Sequence, residues 1–247
     1  MKPLVSVSMP CFNSAHTLPM ALASLVAQTY ENWECLLVDD GSTDDPYAIV
    51  EQVNDPRIRY FRLPQNMGRP AARQRALEEA RGEFLSMLDS DDWLFPNRLQ
   101  VLVNTLTQHP AAVAVFSRFC LVDVHGRISG VKGSGTRSIL KAENAVQMPG
   151  VSHAGHMVRS EATRGMSFDL RLGRSQDIDF LYRVLRGRQY VTIPDITYAY
   201  SMDYHSEFNR VAQDGYQWER LRMGKHLATQ PVTARIHIAR SYLKAGV

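Results

Sequence analysis

FLSMLDSDDWLFP, residues 84–96, joins a short apolar run to three carboxylates, Asp89, Asp91 and Asp92. The run FLSML is typical of a strand that is covered on both faces of a sheet. Carboxylates this close repel one another unless a cation or hydrogen-bond donors compensate their charge. The stretch therefore predicts a buried strand that ends in an acidic turn. Two interpretations of the turn stay open: a ligand site, or helix capping in which Asp92 begins a helix over 96–106.

The residues before this stretch alternate between strand and helix patterns. Three earlier runs have strand character: VSVSMP at 5–10, CLLV at 35–38 and IRYFRL at 58–63. Apolar residues at helical spacing lie between the first two: Leu18, Ala21, Leu22, Leu25 and Val26. Pro46 in a first turn, and the segment 66–82 closed by Gly82, predict two more helices. The order predicts an α/β fold, a single Rossmann-like domain with a mostly parallel central sheet flanked by helices.

Composition excludes several classes of protein. The chain has 247 residues, of which 45% are hydrophobic and 21% charged, so a folded globular protein is expected rather than a disordered one. A formal net charge of +3 is too small to indicate nucleic-acid binding. Cys11, Cys35 and Cys120 lack disulfide or metal spacing and are expected to be buried free thiols. We expect no signal peptide and no spanning helix, hence a cytoplasmic protein, with peripheral contact at the inner membrane face left open.

Acidic residues follow two of the predicted strands. CLLV ends in Asp39 and Asp40, and FLSML ends in the acidic turn. In open α/β sheets ligands bind outside the carboxyl ends of the strands, so both clusters are expected to face one crevice. Oxygen-only ligands suit Mg²⁺ or Mn²⁺, usually shared with a substrate phosphate.

Three segments together carry a resemblance to a known family: VSVSMPCFN, SLVAQTYENWECLLVDDGSTDD and NMGRPAARQRALEEARGEFLSMLDSDDWLFPNRL. Residues 4–105 resemble, in register, the N-terminal half of the family 2 glycosyltransferases. That family has the GT-A fold, uses nucleotide sugars and inverts the anomeric centre. The resemblance implies such an enzyme here, with a divalent metal, Mn²⁺ or Mg²⁺, as its cofactor.

The resemblance assigns roles on the donor side. It makes Asp91 the first choice for metal contact. Asp92 and Asp89 share the remaining metal and ribose contacts, and the resemblance does not decide which of them makes which contact. Asp40 matches the position that hydrogen-bonds the base, and Phe12 occupies a usual Tyr position that stacks on it.

Three further residues complete the nucleotide-sugar set: Pro10, Asn66 and Arg73. An aromatic face beside a carboxylate suits uracil, which makes a UDP-sugar the expected donor. For Arg73 the alternative is a solvated helix arginine that pairs with Glu78 or another neighbour.

The second half supplies the predicted base. SFDLRLGRSQDIDFLYRVLRGRQYVTIPD resembles the family segment whose aspartate removes the acceptor proton, and Asp177 occupies that position. Helical spacing places Asp177 in line with Phe180, Leu181 and Val184, whereas Asp179 pairs in spacing with Arg183. Gln176 replaces the usual Glu. The alternative for Asp177 is a buried capping residue without a catalytic role.

Two histidine-bearing segments give weaker candidates. In YAYSMDYHSEFNR, Asp203 falls where relatives carry a metal-binding His, and His205 reaches that position only in a shifted register. Both stand as metal candidates, with Asp203 preferred. His153 and His156 lie where family members build the acceptor pocket, on a segment that is predicted as a strand and so points them to opposite faces.

These assignments divide the chain into a glycosyltransferase domain over 1–207 and a C-terminal helical extension over 208–247. Within the domain, 1–110 is the nucleotide-sugar-binding half and 111–207 the acceptor-binding half. The expected partners are a nucleotide-sugar donor and a saccharide or glycolipid acceptor of bacterial cell-surface polysaccharide or glycoconjugate synthesis; the oligomeric state stays open. Two other functions remain as alternatives: a sugar nucleotidyltransferase, and a nucleotide-sugar-binding protein without transferase activity.

Overall fold

The structure, a computed structural model, describes residues 2–142, 152–173 and 175–202, and within them the chain forms ten strands and five α-helices. The strands are Val5–Cys11 (β1), Trp33–Asp39 (β2), Ile58–Arg62 (β3), Phe84–Met87 (β4), Trp93–Leu94 (β5), Ala112–Val122 (β6), Ile128–Lys132 (β7), Ser138–Lys141 (β8), His156–Arg159 (β9) and Gln189–Ser201 (β10). The helices are Leu18–Val26 (α1), Pro46–Val53 (α2), Arg69–Glu79 (α3), Arg98–Gln108 (α4) and Gln176–Leu185 (α5), and a 3₁₀ turn spans Ser160–Thr163.

All ten strands belong to one sheet. Its main path runs β3-β2-β1-β4-β9-β6-β10-β5, and β7 and β8 pair with β6 and β10. The first four strands of this path are parallel, as predicted. β9 then enters antiparallel between β4 and β6, so that β6 and β10 again run in the direction of β4. The predicted α/β class is confirmed, although the sheet is mixed beyond β4.

Helices cover both faces of the sheet. β2 is buried along its whole length because alternate side chains serve opposite faces: Leu37 packs in the cluster of α1 and α4, and Leu36 packs in that of α3. α5 covers the second half of the sheet through Phe180 and Val184. This two-sided burial explains why the first strands are continuous apolar runs without a polar face.

Two helix boundaries differ from prediction. α4 begins at Arg98, after Asn97, so Asp92 is not its N-cap. α3 ends at Glu79 rather than at Gly82. Gly82 instead passes so close to β1 that a Cβ there would lie 2.6 Å from the backbone nitrogen of Ser6. Glycine is therefore required by close approach of two chain segments and not by helix termination.

Smaller differences follow from local context. Val26, predicted on the buried face of α1, is 39% exposed because the helix ends there, whereas the other four predicted apolar residues of α1 are buried. The segment 125–138, which is rich in glycine, serine and basic residues, contains β7, which adds to the edge of β6. The segment lacks the apolar pattern of a core strand, and it is ordered by backbone hydrogen bonds to the edge of β6.

The predicted extension over 208–247 lies outside the described residues. Within the described part, no helix has the length and apolar character needed to cross a bilayer. The three cysteines are free and buried, as predicted.

The close approach at Gly82 leads to a stability prediction. We expect Gly82→Ala to lower the free energy of unfolding by about 1–3 kcal/mol, because the new methyl group overlaps the backbone of β1. Gly135→Ala is the matched control: its Cβ meets nothing within 4 Å, so the change is expected to stay within about 0.5 kcal/mol. Urea unfolding of both variants measures the difference, and equal values would contradict the close packing of this turn.

Candidate active site

A cavity of about 550 Å³ opens at the carboxyl ends of β1, β2 and β4. Its lining includes six of the seven residues predicted for the nucleotide sugar, all except Arg73: Pro10, Phe12, Asp40, Asn66, Asp89 and Asp91. A space of this size is typical of a small-molecule site. The sheet topology thus brings together residues that lie up to 81 positions apart in the chain, from Pro10 to Asp91.

One end of the cavity presents an aromatic face and a buried carboxylate. Phe12 is 44% exposed, although it follows a fully buried strand. Asp40 accepts hydrogen bonds from the backbone N–H groups of Met67 (2.7 Å) and Gly68 (2.8 Å). Burial, together with the charge of Asp39, raises the pKa of Asp40 against the effect of these bonds. Asn66 shares the loop and accepts from the Gly68 N–H at 3.0 Å.

Asp39 does not face this cavity, contrary to the expectation that both acids after CLLV do. It is fully buried and accepts hydrogen bonds from the Ser42 N–H (2.8 Å) and the Tyr60 hydroxyl (2.7 Å). Arg62 lies 3.1 Å from the same carboxylate. Successive residues of an extended chain point in opposite directions, so Asp39 ties β2 to β3 while Asp40 serves the cavity.

The acidic turn after β4 brings its carboxylates together. One oxygen each of Asp89, Asp91 and Asp92 lies within 4.8 Å of the others. Asp92 is buried and accepts from the Tyr198 hydroxyl (2.6 Å) and the Ser201 N–H (2.7 Å). Burial, then the charges of Asp91 and Asp89, hold the pKa of Asp92 well above its ordinary value. The capping interpretation of Asp92 is therefore wrong, because its oxygens bind β10 rather than a helix.

The donor set of this turn fits a hard divalent cation. The three groups offer carboxylate oxygens only, which Mg²⁺ and Mn²⁺ prefer. Asp91 is the exposed member and lines the cavity, whereas both oxygens of Asp92 are engaged by β10. This arrangement favours Asp91 as the group that meets a cation, and the division among the three carboxylates stays a prediction.

Arg73 connects the acidic turn to the second half of the chain. Its side chain is 2% exposed, and its Nη2 donates to Asp89 Oδ1 (3.0 Å) and to His153 Nε2 (2.7 Å). Glu78, the alternative partner predicted from helical spacing, instead accepts from Gln74. Burial alone would raise the pKa of Asp89, but the charges of Arg73 and Arg69 outweigh it and lower that pKa well below its ordinary value.

Asp177 lies in the first turn of α5, beside this group. Its side chain is 18% exposed, and its Oδ2 lies 3.3 Å from His153 Nδ1. Burial is outweighed by the charge of Arg73 and by the backbone N–H of Ile178, so the pKa of Asp177 is lowered and the carboxyl is ionised at neutral pH. Asp179 pairs with Arg183 at 3.0 Å, as its spacing predicts.

The two histidines do not alternate across a strand, because β9 begins only at His156. His153 lies in the preceding turn, and the two rings pack 5.6 Å apart. His156 is buried against Phe116, and burial lowers its pKa to about 3. Acceptor contact by either histidine stays a prediction. Asp203 and His205 lie outside the described residues.

Sequence reasoning missed four residues that contribute to the site. Arg69 lines the cavity at the start of α3, and its position directly after Asn-Met-Gly was a usable signal. Ser14 and Ser90 meet through their hydroxyls at 2.8 Å, which joins the loop after β1 to the acidic turn. From the sequence, Tyr198 is predicted only to be a buried strand residue. Nothing in its sequence context indicates that its hydroxyl binds Asp92.

Comparison with known proteins places these features in a family context. The family model described as "Glycosyl transferase family 2" matches residues 6–165. The putative colanic acid biosynthesis glycosyl transferase WcaA of Escherichia coli K12 is 30% identical over 193 residues, which cover 74% of this chain and 66% of WcaA. The Escherichia coli protein WfgD, named a UDP-Glc:alpha-D-GlcNAc-diphosphoundecaprenol beta-1,3-glucosyltransferase, is 37% identical over 106 residues, 43% of this chain and 42% of WfgD.

The fold also matches a solved structure. The crystal structure of S. aureus TarS 1-349 in complex with UDP has a TM-score of 0.68 at 21% identity, and the match covers 97% of this chain and 70% of that one. This likeness confirms the GT-A fold expectation. The chain spans 42% to 66% of the length of the two curated relatives above.

The raised pKa of Asp92 predicts a pH dependence of stability. The folded chain keeps a proton on Asp92 that the unfolded chain loses near its ordinary pKa of 3.8. The free energy of unfolding of the metal-free protein therefore falls as pH rises from about 4 through the folded-state pKa, by about 1.4 kcal/mol for each pKa unit crossed. We expect Asp92→Asn to lack this fall.

Urea unfolding in the presence of a chelator, from about pH 4 to about pH 8, measures the difference between the two proteins. Asp89 and Asp177 have lowered pKa values, so they stabilise the fold above about pH 4. Their contribution to the free energy of unfolding is lost only as the pH falls below that value, outside the range of this experiment. If the free energies of unfolding of the unmodified protein and of Asp92→Asn change in parallel with pH, Asp92 is not the group responsible for the fall.

Proposed function

The chain belongs to glycosyl transferase family 2, and on that premise we propose that it transfers a sugar from a nucleoside-diphosphate sugar to an acceptor hydroxyl with inversion. One observation carries the proposal: the acidic turn lines the same cavity as Phe12 and Asp40, and Asp89 of that turn is joined through Arg73 and His153 to Asp177. Asp177, the proposed base, therefore lies beside the residues that are proposed to bind the donor.

The donor that suits the cavity is a UDP-sugar. A uracil ring stacks on the exposed face of Phe12, while the imide N–H of the base donates to Asp40. The two backbone N–H groups on Asp40 hold its carboxylate in place, and each oxygen retains a lone pair for the base. The TarS structure that shares this fold was solved with UDP, and the name of WfgD gives UDP-Glc as its donor.

The diphosphate belongs at the acidic turn. Asp91, with Asp89 and Asp92 nearby, would hold Mn²⁺ or Mg²⁺, which when bound neutralises charge on the leaving diphosphate. Arg69, on the same wall, adds positive charge close to the phosphates. The ion pair with Arg73 keeps Asp89 ionised and holds its carboxylate in place. Metal ligation by Asp203 or His205 stays part of the proposal.

Asp177 is the proposed base. It takes the proton of the acceptor hydroxyl while the hydroxyl oxygen attacks the anomeric carbon on the face opposite to the leaving UDP, and the configuration inverts. The lowered pKa keeps this carboxylate ionised, as a base must be. A base of low pKa suffices because the hydroxyl becomes acidic only as it bonds to the anomeric carbon.

The acceptor is a saccharide or a glycolipid. WcaA is named for colanic acid synthesis and WfgD for transfer to a diphosphoundecaprenol-linked sugar, which supports a place in bacterial cell-surface polysaccharide or glycoconjugate synthesis. Transfer to a lipid-linked acceptor would bring the protein to the cytoplasmic face of a membrane. Residues 1–110 then bind the donor, and 111–207 complete the acceptor side.

Nucleotide binding provides the first test. In titration calorimetry we expect UDP to bind with Mn²⁺ present and Asp91→Asn to weaken that binding by about tenfold or more, which corresponds to about 1.4 kcal/mol, because the exposed oxygen ligand is lost. Asp123→Asn, in the turn between β6 and β7, is the control that leaves binding unchanged. Equal UDP affinity for Asp91→Asn and the unmodified protein would place the metal elsewhere.

Turnover tests the base. Asp177→Asn is expected to slow UDP release from a UDP-sugar and acceptor by about 10²–10⁴-fold, with UDP affinity unchanged, because only the proton acceptor is removed. UDP-glucose and UDP-N-acetylglucosamine with diphosphoundecaprenol-linked N-acetylglucosamine form the starting set. Asp169→Asn, whose carboxylate pairs with Arg171, is the matched control. Full turnover by Asp177→Asn would refute its role, and UDP binding with no transfer to any acceptor would favour a binding protein.

A further inference from the structure

His153 occupies the space between the donor-side and acceptor-side carboxylates. Its Nε2 lies 2.7 Å from Arg73 Nη2 and 3.5 Å from Asp89 Oδ2, and its Nδ1 lies 3.3 Å from Asp177 Oδ2. The side chain is 12% exposed. The ring therefore contacts groups from α3, from the turn after β4 and from α5.

The neighbours of the ring decide which nitrogen carries a proton. A guanidinium has only donors, so at 2.7 Å from Arg73 the Nε2 atom must accept. The proton of a neutral imidazole then resides on Nδ1, which faces Asp177. A proton on Nε2 would point at the Arg73 N–H group instead.

The Nδ1 atom is buried and, among the described residues, makes no hydrogen bond of good angle. Asp177 Oδ2 is within ion-pair distance at 3.3 Å but lies off the direction of the N–H bond. Catalytic hydrogen bonds are often long or poorly aligned in the absence of substrate and shorten in the reactive complex. The orphaned nitrogen thus indicates a contact that becomes fully formed only when the site is filled.

We propose that His153 is a positioning residue, whose neutral imidazole donates from Nδ1 to Asp177 Oδ2 and so aims the other oxygen of Asp177 at the acceptor hydroxyl. This inference rests on the proposed function, because it assumes that Asp177 is the base. It also ties the orientation of the base to Asp89 of the acidic turn, since Arg73 contacts both Asp89 and the imidazole.

The backbone around His153 is built to hold this orientation. The His153 carbonyl accepts from the buried ring of His156, which fixes the turn before β9. Gly155 allows the turn to lie against β6, because a Cβ at this position would be 2.3 Å from the Ser117 carbonyl oxygen. The position of the imidazole is therefore fixed by the backbone turn that carries it as well as by Arg73.

A spectroscopic experiment tests the contact without any substrate. The full chain, with ¹⁵N-labelled histidine, has eight histidines, and the signals lost in His153→Asn identify this ring. We expect the Nδ1–H tautomer for His153 and a change of its ring signals in Asp177→Asn. Asp169→Asn is expected to leave them unchanged. An Nε2–H tautomer, or signals indifferent to Asp177→Asn, would overturn the proposal.

A substitution series tests the role in turnover. The amide nitrogen of Asn stands as many bonds from Cα as Nδ1 of His, whereas that of Gln corresponds to Nε2. We expect His153→Leu and His153→Gln to lower kcat by about 10- to 100-fold with the donor KM unchanged, and His153→Asn to recover most of the loss. His125→Asn, in the exposed turn before β7, controls for loss of a histidine. Equal losses in the Asn and Leu variants would refute positioning through Nδ1.

Two results separate this inference from the proposed function. If Asp177→Asn abolishes transfer while His153→Leu keeps full kcat, the enzyme assignment stands and the positioning role fails. If Asp177→Asn transfers sugar normally, the proposed base fails, and the positioning role fails with it whatever tautomer His153 adopts.

Discussion

Mutual repulsion of three carboxylates in the turn after β4 is the constraint on which the site depends. Each is accommodated differently: Asp89 by the buried guanidinium of Arg73, Asp92 by two donors from β10, and Asp91 by exposure at the cavity. The turn keeps its shape only if β10 lies in the same sheet, because Tyr198 and Ser201 supply the donors. The far end of the described chain thus completes a site that begins in the first half of the sequence.

Buried cations stabilise the same region. Arg98 is fully buried and donates to Ser86, Thr197 and the His156 carbonyl, which lie on β4, β10 and β9. Burial lowers its pKa only to about 10, so it stays charged. Burial of a charge is costly unless hydrogen bonds offset the lost hydration, so removing the partners of such a charge is destabilising. Arg98 and Arg73 therefore fix the strands and the carboxylates in one arrangement.

The comparisons and the geometry support different parts of the functional argument. Family membership and the shared fold give the class of protein, while the pairing of an exposed aromatic with a carboxylate supports a uracil nucleotide. The proposal for the acceptor side rests on Asp177 of α5 and on His153 of the turn before β9. Sheets of this type host many activities, so that proposal is argued from these local groups rather than from the fold.

The sequence by itself determined the first four strands, whose ends differ from prediction by at most two residues, and the acids that follow them. It did so because apolar runs, helical spacing and turn residues are local signals. Only the tertiary structure decided that Asp39 faces β3 while Asp40 lines the cavity, that Asp92 binds β10 instead of capping α4, and that Arg73 and His153 connect Asp89 to Asp177. Those contacts join residues up to 109 positions apart, and no local pattern specifies partners at such separations.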